Sequence, residues 1–115
     1  VNPTMETVSL FVADWTQTQR GRKVSAATRE LVWELSACAF DCGGTVTLTK
    51  TRLVVVLNVG QRFLAERVGI TAYGMKSRMR SAQKIGILAR HRQPFGADST
   101  TVLELTIPDA NGGSK

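Results

Sequence analysis

Gln61-Arg-Phe-Leu-Ala-Glu-Arg-Val-Gly-Ile-Thr-Ala-Tyr-Gly-Met-Lys-Ser-Arg-Met-Arg-Ser-Ala-Gln-Lys-Ile-Gly-Ile-Leu88 is the stretch on which the reading of this 115-residue chain turns. Leu64, Ala65 and Val68 supply the buried side of one helix, Gly69 sits at its C-terminal stop, and Ile70 turns into the core. Thr71 is placed to cap a second helix, whose Met75, Met79 and Ala82 fall at i, i+4 and i+7 and which ends at Gly86. Two helices joined by a tight glycine turn, the second loaded with basic residues, form the arrangement that sets a helix into the major groove of DNA.

Charge is distributed in keeping with that arrangement. From Lys50 to Arg92 ten basic residues face a single acid, Glu66, for a net of +9, whereas the rest of the chain has five bases and eight acids, a net of −3. The overall +6 is therefore a local positive field on a slightly acidic body. Such segregation attracts a polyanion, and nucleic acid is the expected one. The basic segment lacks the broad Leu, Phe and Trp face of a helix that lies on a membrane.

Outside this segment the sequence sets limits. At 43% hydrophobic content the chain suffices for one domain that buries roughly two-thirds of its unfolded-state surface. The longest apolar run, Leu53 to Leu57, falls far short of the ~18 residues of a membrane span, and no signal-peptide pattern opens the chain. A cytoplasmic, nucleoid-associated protein without a membrane partner is expected. Cys38 and Cys42 are four apart, but a zinc site needs about four ligands and the one histidine, His91, is remote, so neither metal nor cofactor is expected. Glu30 and Glu34 are carboxylates at helical spacing beside Arg29, which is the pattern of a solvated face. With no glycine-rich phosphate loop and no Gly-x-Ser-x-Gly elbow, catalysis is not expected.

Along the chain, Val1 to Thr7 is expected to be a loose arm. Val8 to Trp15 does not settle its period between strand and helix and is read as a helix. Thr16 to Lys23 is polar, and Ser25 caps a helix from Ala26 to about Asp41 with Leu31, Leu35 and Cys38 inward, widened by Val32, Trp33, Ala39 and Phe40. Gly43-Gly44 stops it. Thr45-Val-Thr-Leu-Thr49 alternates as a half-buried strand. The three valines of Leu53 to Leu57 favour a strand in a hairpin, yet the segment also fits a helix from Thr51 distorted at Asn58 to Gly60, and the helix is the reading favoured. Ile87 to Arg92 and Thr100 to Ile107 form a terminal hairpin, and Asp109 to Lys115 has nothing to pack and is expected to be disordered.

From Ala26 to Ile107 the chain resembles the winged helix-turn-helix family of bacterial DNA-binding proteins. The resemblance rests on Phe63-Leu64-Ala65-Glu66-Arg67-Val68-Gly69-Ile70-Thr71, which is similar to that family's Leu-Ala-x-x-x-Gly-hydrophobic-Ser/Thr turn. Met75 and Met79 follow in core positions, and Ile85-Gly86-Ile87-Leu88 stands where the recognition helix gives way to a wing. Two departures stand out. Ala82 occupies a position often held by leucine, with Trp33 or Phe40 as candidates to fill the space, and Gly74 interrupts the second helix at roughly 1 kcal/mol relative to alanine.

The resemblance implies an α+β, mainly α fold. It comprises an N-terminal arm and dimerisation segment at 1–25, a winged helix-turn-helix at 26–108 with a C-terminal β-hairpin wing, and a tail at 109–115. With Met75, Met79 and Ala82 inward, the helix 72–85 presents Thr71, Tyr73, Lys76, Ser77 and Arg80 outward for the groove. Arg78 and Lys84 are candidate phosphate contacts. Gln61 and Arg62, at a helix N-terminus where Asn58 and Gln61 suggest a reciprocal cap, are candidates to anchor the duplex backbone. Arg90 and Arg92 would lie on the wing, near the minor groove or flanking phosphates.

The expected function is sequence-specific binding of double-stranded DNA as a homodimer, in transcriptional regulation or in plasmid or phage replication or partition. Leu10, Phe11, Val12, Trp15 and Trp33 supply either the dimer surface or the monomer's core. The alternative is a winged-helix module that binds protein; structured RNA is a third, disfavoured by the lack of an aromatic platform beyond Tyr73 and Phe95.

Overall fold

Thr4 opens the first helix. Its hydroxyl accepts from the Thr7 amide at 3.2 Å, the Thr7 hydroxyl accepts from the Thr4 amide at 2.8 Å, and this reciprocal cap starts α1 at Met5–Gln17. The loose arm expected as far as Thr7 is therefore corrected: the capping threonines satisfy the first amides and the helix begins at residue 5. The computed structural model describes residues 3–18, 24–92 and 99–107. The expected polar segment beyond Thr18, the loop from Gln93 and the tail from Asp109 lie outside the described residues.

Ser25 accepts from the Thr28 amide at 3.2 Å and starts α2, Ala26–Cys42, which closes at Gly43. A two-stranded unit follows, β1 at Thr45–Leu48 and β2 at Arg52–Asn58, its turn closed by the Thr49 amide donating to the Arg52 carbonyl at 2.8 Å. The helix favoured from Thr51 is thus a strand. Val54, Val55 and Val56 are stiff at χ1 and suit a pleated surface; burial alternates along β2, with Leu53, Val55 and Leu57 buried and Val54 and Val56 half-buried, but the outward positions are valines too, so the sequence shows no alternation.

Next come α3, Gln61–Val68, and α4, Ala72–Lys84, then β3, Leu88–Arg92, and β4, Ser99–Thr106. The four strands form one antiparallel sheet in the order β1-β2-β4-β3, so the C-terminal hairpin pairs back onto the middle of the chain. Leu53 lies opposite Leu105, Val55 opposite Leu103, and Leu88 opposite Leu103 on its other side. These residues make up the inner face, and the helices cover it. The fold among the described residues is α+β, four helices and a four-stranded sheet, with helix predominating.

One contiguous core joins both layers. Val8, Phe11, Val12 and Trp15 of α1 enter it with Leu31, Leu35 and Cys38 of α2, the inner sheet residues, Leu64, Met75 and Met79. Of the residues weighed between dimer surface and core, Phe11, Val12 and Trp15 belong to the core, while Leu10 remains 65% and Trp33 45% exposed. Trp33 and Phe40 do not widen the buried stripe of α2; both are exposed, and the Trp33 indole donates to the Ser9 hydroxyl at 3.2 Å. Gly44 marks a close backbone approach: a β-carbon there would sit 2.7 Å from the Val56 carbonyl oxygen and 3.0 Å from the Ala39 Cα. Among the described residues no helix is long and apolar enough to cross a membrane.

Candidate nucleic-acid interface

The angle between α3 and α4 is set by backbone chemistry. Gly69 adopts φ 85°, a left-handed conformation that glycine takes without steric cost, and both its amide and that of Ile70 donate to the Ala65 carbonyl, at 2.9 and 3.0 Å. Thr71 then accepts from the Gly74 amide at 2.9 Å and starts α4. The helix runs unbroken through Gly74, whose nearest neighbour is the Thr71 hydroxyl, 3.2 Å from where a β-carbon would stand.

With Met75, Met79 and Ala82 buried, the opposite side of α4 carries Tyr73, Lys76, Ser77 and Arg80, which together line a shallow depression of about 110 Å³. Their spacing of i, i+3, i+4 and i+7 puts all four on one helical face. Tyr73 is 81% exposed, the most open of the large apolar side chains among the described residues.

The basic residues divide into two sets. Arg67 of α3 is paired with Asp41 at the end of α2, Arg78 of α4 lies 3.5 Å from Glu30 of α2, and Arg52 lies 2.5 Å from Glu104 across the outer face of the sheet. The Asp41 carboxylate raises the Arg67 pKa, fixing its charge. Lys76, Arg80 and Arg62 make no ion pair among the described residues. Glu30 and Asp41 of α2 thus engage side chains at the flanks of the helix pair, and Lys76 and Arg80 on the outer face of α4 have no acidic partner among the described residues.

Other expected site residues occupy different surroundings. The capping pair of Asn58 and Gln61 does not form, because α3 starts two residues later than that pattern needs, with Gly60 as its cap and no side-chain bond there. Asn58 instead accepts from the Thr100 hydroxyl at 2.8 Å. Gln61 donates through Nε2 to the Ala72 carbonyl at 3.0 Å, and its Oε1 accepts from Arg90 Nη1 at 3.3 Å. Arg90 is half-buried, sharing the inner face of the sheet with its register partner Thr101, and reaches towards the helices. His91, next along β3, is exposed. Arg92 belongs to β3, and its side chain lies outside the described residues. Lys84 borders a separate cleft with Ser25, Thr28 and Ser81, against the start of α2. No local signal in the sequence pointed to the pairs Arg67–Asp41 and Gln61–Arg90, which join segments 26 and 29 residues apart.

Cys38 and Cys42 bring their sulfurs within 3.6 Å of each other, and no cluster of three or more His, Cys, Asp or Glu ligands occurs among the described residues. Compared with protein-family models, curated proteins and solved structures, the chain matches none.

Proposed function

We propose that the chain is a winged helix-turn-helix protein that binds double-stranded DNA by sequence, laying α4 in the major groove and the β3–β4 hairpin against flanking DNA. The observation that carries this reading is the outer face of α4: Tyr73, Lys76, Ser77 and Arg80 exposed, opposite a methionine-packed inner face, with Glu30 and Asp41 of α2 paired to other arginines. A helix is about 10–12 Å across with its side chains, close to the roughly 12 Å width of the major groove, so only one face meets the bases. Lys76 and Arg80 supply donors suited to guanine edges and phosphates; Tyr73 and Ser77 supply a ring and a hydroxyl at the same depth. Arg62, in the first turn of α3, and Lys84, in the last turn of α4, would meet phosphates.

Such a domain reads a short site, and pairing two copies on a symmetric operator is the usual route to adequate specificity. With Phe11, Val12 and Trp15 in the core, Leu10 and Trp33 are what the α1–α2 side offers for self-association. A regulator of transcription, or a replication or partition factor of a plasmid or phage, is the role we assign to this activity.

A protein-binding module is the second reading, favoured by the exposed Trp33 and Phe40 on α2. Titrating a random-sequence duplex at increasing salt separates the two. A DNA reader that meets about six phosphates loses affinity with a log–log slope near about −5, whereas an apolar protein interface hardly responds. Absence of duplex binding at low salt would put the protein module first.

A further inference from the structure

Gln61 hydrogen-bonds on one side to the start of α4 and on the other to the hairpin strand β3. Its amide nitrogen donates to the Ala72 carbonyl at 3.0 Å, in the first turn of α4, and its amide oxygen accepts from Arg90 at 3.3 Å. Ala72 immediately precedes Tyr73 on the proposed reading face. Arg90 leaves β3 from the inner face of the sheet, so its guanidinium is directed at the helices.

We propose that Gln61 is a positioning residue: it ties the hairpin strand to the first turn of α4, so that the two meet DNA as one rigid piece. This rests on the DNA-reading function proposed above. Both ends of the Gln61 amide are engaged within the protein, which assigns it to holding the reading elements instead of gripping the duplex backbone. Base-edge hydrogen bonds tolerate little displacement, since they weaken steeply with distance and angle, whereas long Lys and Arg side chains follow a phosphate over several ångströms. Loosening the joint therefore erodes discrimination between sequences and leaves the charge-driven affinity alone. An amide that itself gripped phosphate would show the opposite pattern.

The test starts with the wild-type chain, enriching preferred sites from a randomised duplex pool. Affinity is then measured by fluorescence anisotropy for the enriched duplex and for a random-sequence duplex, with Gln61→Met, Arg90→Met and the double variant. Methionine matches the length of glutamine and replaces the aliphatic stem of arginine, removing the hydrogen bonds of each and the charge of Arg90, and far-UV circular dichroism checks that each variant is folded. Gln61→Met is expected to lower the ratio of random to enriched dissociation constants about tenfold, with random-sequence affinity and salt slope unchanged. Arg90→Met is expected to lower that ratio too, and the double variant to lose no more of it than the larger single loss. An unchanged ratio in Gln61→Met overturns the proposal, as do additive losses in the double variant. So does an equal loss on both duplexes with a shallower salt slope, which would make Gln61 a backbone contact. If the wild type enriches no sequence, the reading function itself fails, and that result is in hand before any variant is examined.

Discussion

Arg78 of α4 donates to Glu30 of α2 at 3.5 Å, joining the flank of the proposed reading helix to the longest helix of the fold. The Glu30 side chain is largely solvent-exposed, so the pair is a surface contact worth about 0–1 kcal/mol. Arg78→Ala is expected to lower stability by less than ~1 kcal/mol in urea denaturation and to leave the salt slope of duplex binding nearly unchanged. A fall in slope of about 1 would place Arg78 on a phosphate instead.

Trp15 is almost fully buried within the core that α1 shares with α2, and Trp33 stands outside it. Trp15→Ala is expected to cost about 3–5 kcal/mol, enough to unfold a marginal domain of this size, while Trp33→Ala costs under ~1 kcal/mol. Chemical denaturation of the two variants side by side checks this. Comparable losses would mean that Trp33 is sheltered in solution, as a dimer through the α1–α2 side would require.

Gly44 lies where the end of α2 passes over β2. A β-carbon there would stand 2.7 Å from the Val56 carbonyl oxygen, a backbone atom that cannot rotate away. Gly44→Ala is expected to destabilise by about 1–3 kcal/mol through overpacking. Thermal melting at neutral pH reads the shift.

Burial pushes the Cys38 thiol up from its ordinary 9.0 to about 11, with the hydrogen bond and charge of Cys42 adding to it. Between those two values the folded chain keeps a proton that the unfolded chain releases. The contribution to stability is therefore complete below about pH 9 and is lost as pH rises towards 11. Melting temperatures from pH 8 to 11 should fall less steeply for Cys38→Ala than for the wild type. At neutral pH, iodoacetamide should label the exposed Cys42 and spare Cys38 until the chain is unfolded.

Local chemistry made much of this fold legible. Ser25, Gly69 and Thr71 cap or stop helices through atoms within four residues of themselves, and each acts where the sequence placed it. Arg52–Asn58 favours a helix on sequence because its half-buried outward positions, Val54 and Val56, are as apolar as the buried ones, which removes alternation; its run of β-branched valines is the signal that points to the strand. Phe40 and Trp33 were set inside because an apolar side chain on a helix suggests burial, yet they flank the stripe centred on Leu31, Leu35 and Cys38. At the site, the outward set of Tyr73, Lys76, Ser77 and Arg80 followed from helical spacing alone. The engagement of Gln61 with Arg90, and of Arg78 with Glu30, arises only when distant segments meet, and no window of sequence carries it.

The central claim is that the exposed face of α4 docks on DNA. It is tested most directly by anisotropy titration of a random-sequence duplex at several salt concentrations, comparing the wild type with the Lys76→Ala, Arg80→Ala double variant. The account predicts salt-sensitive binding by the wild type, and a double variant that remains folded but binds at least about tenfold more weakly with a salt slope shallower by about 2. Equal binding by the two proteins, with the same slope, would contradict it.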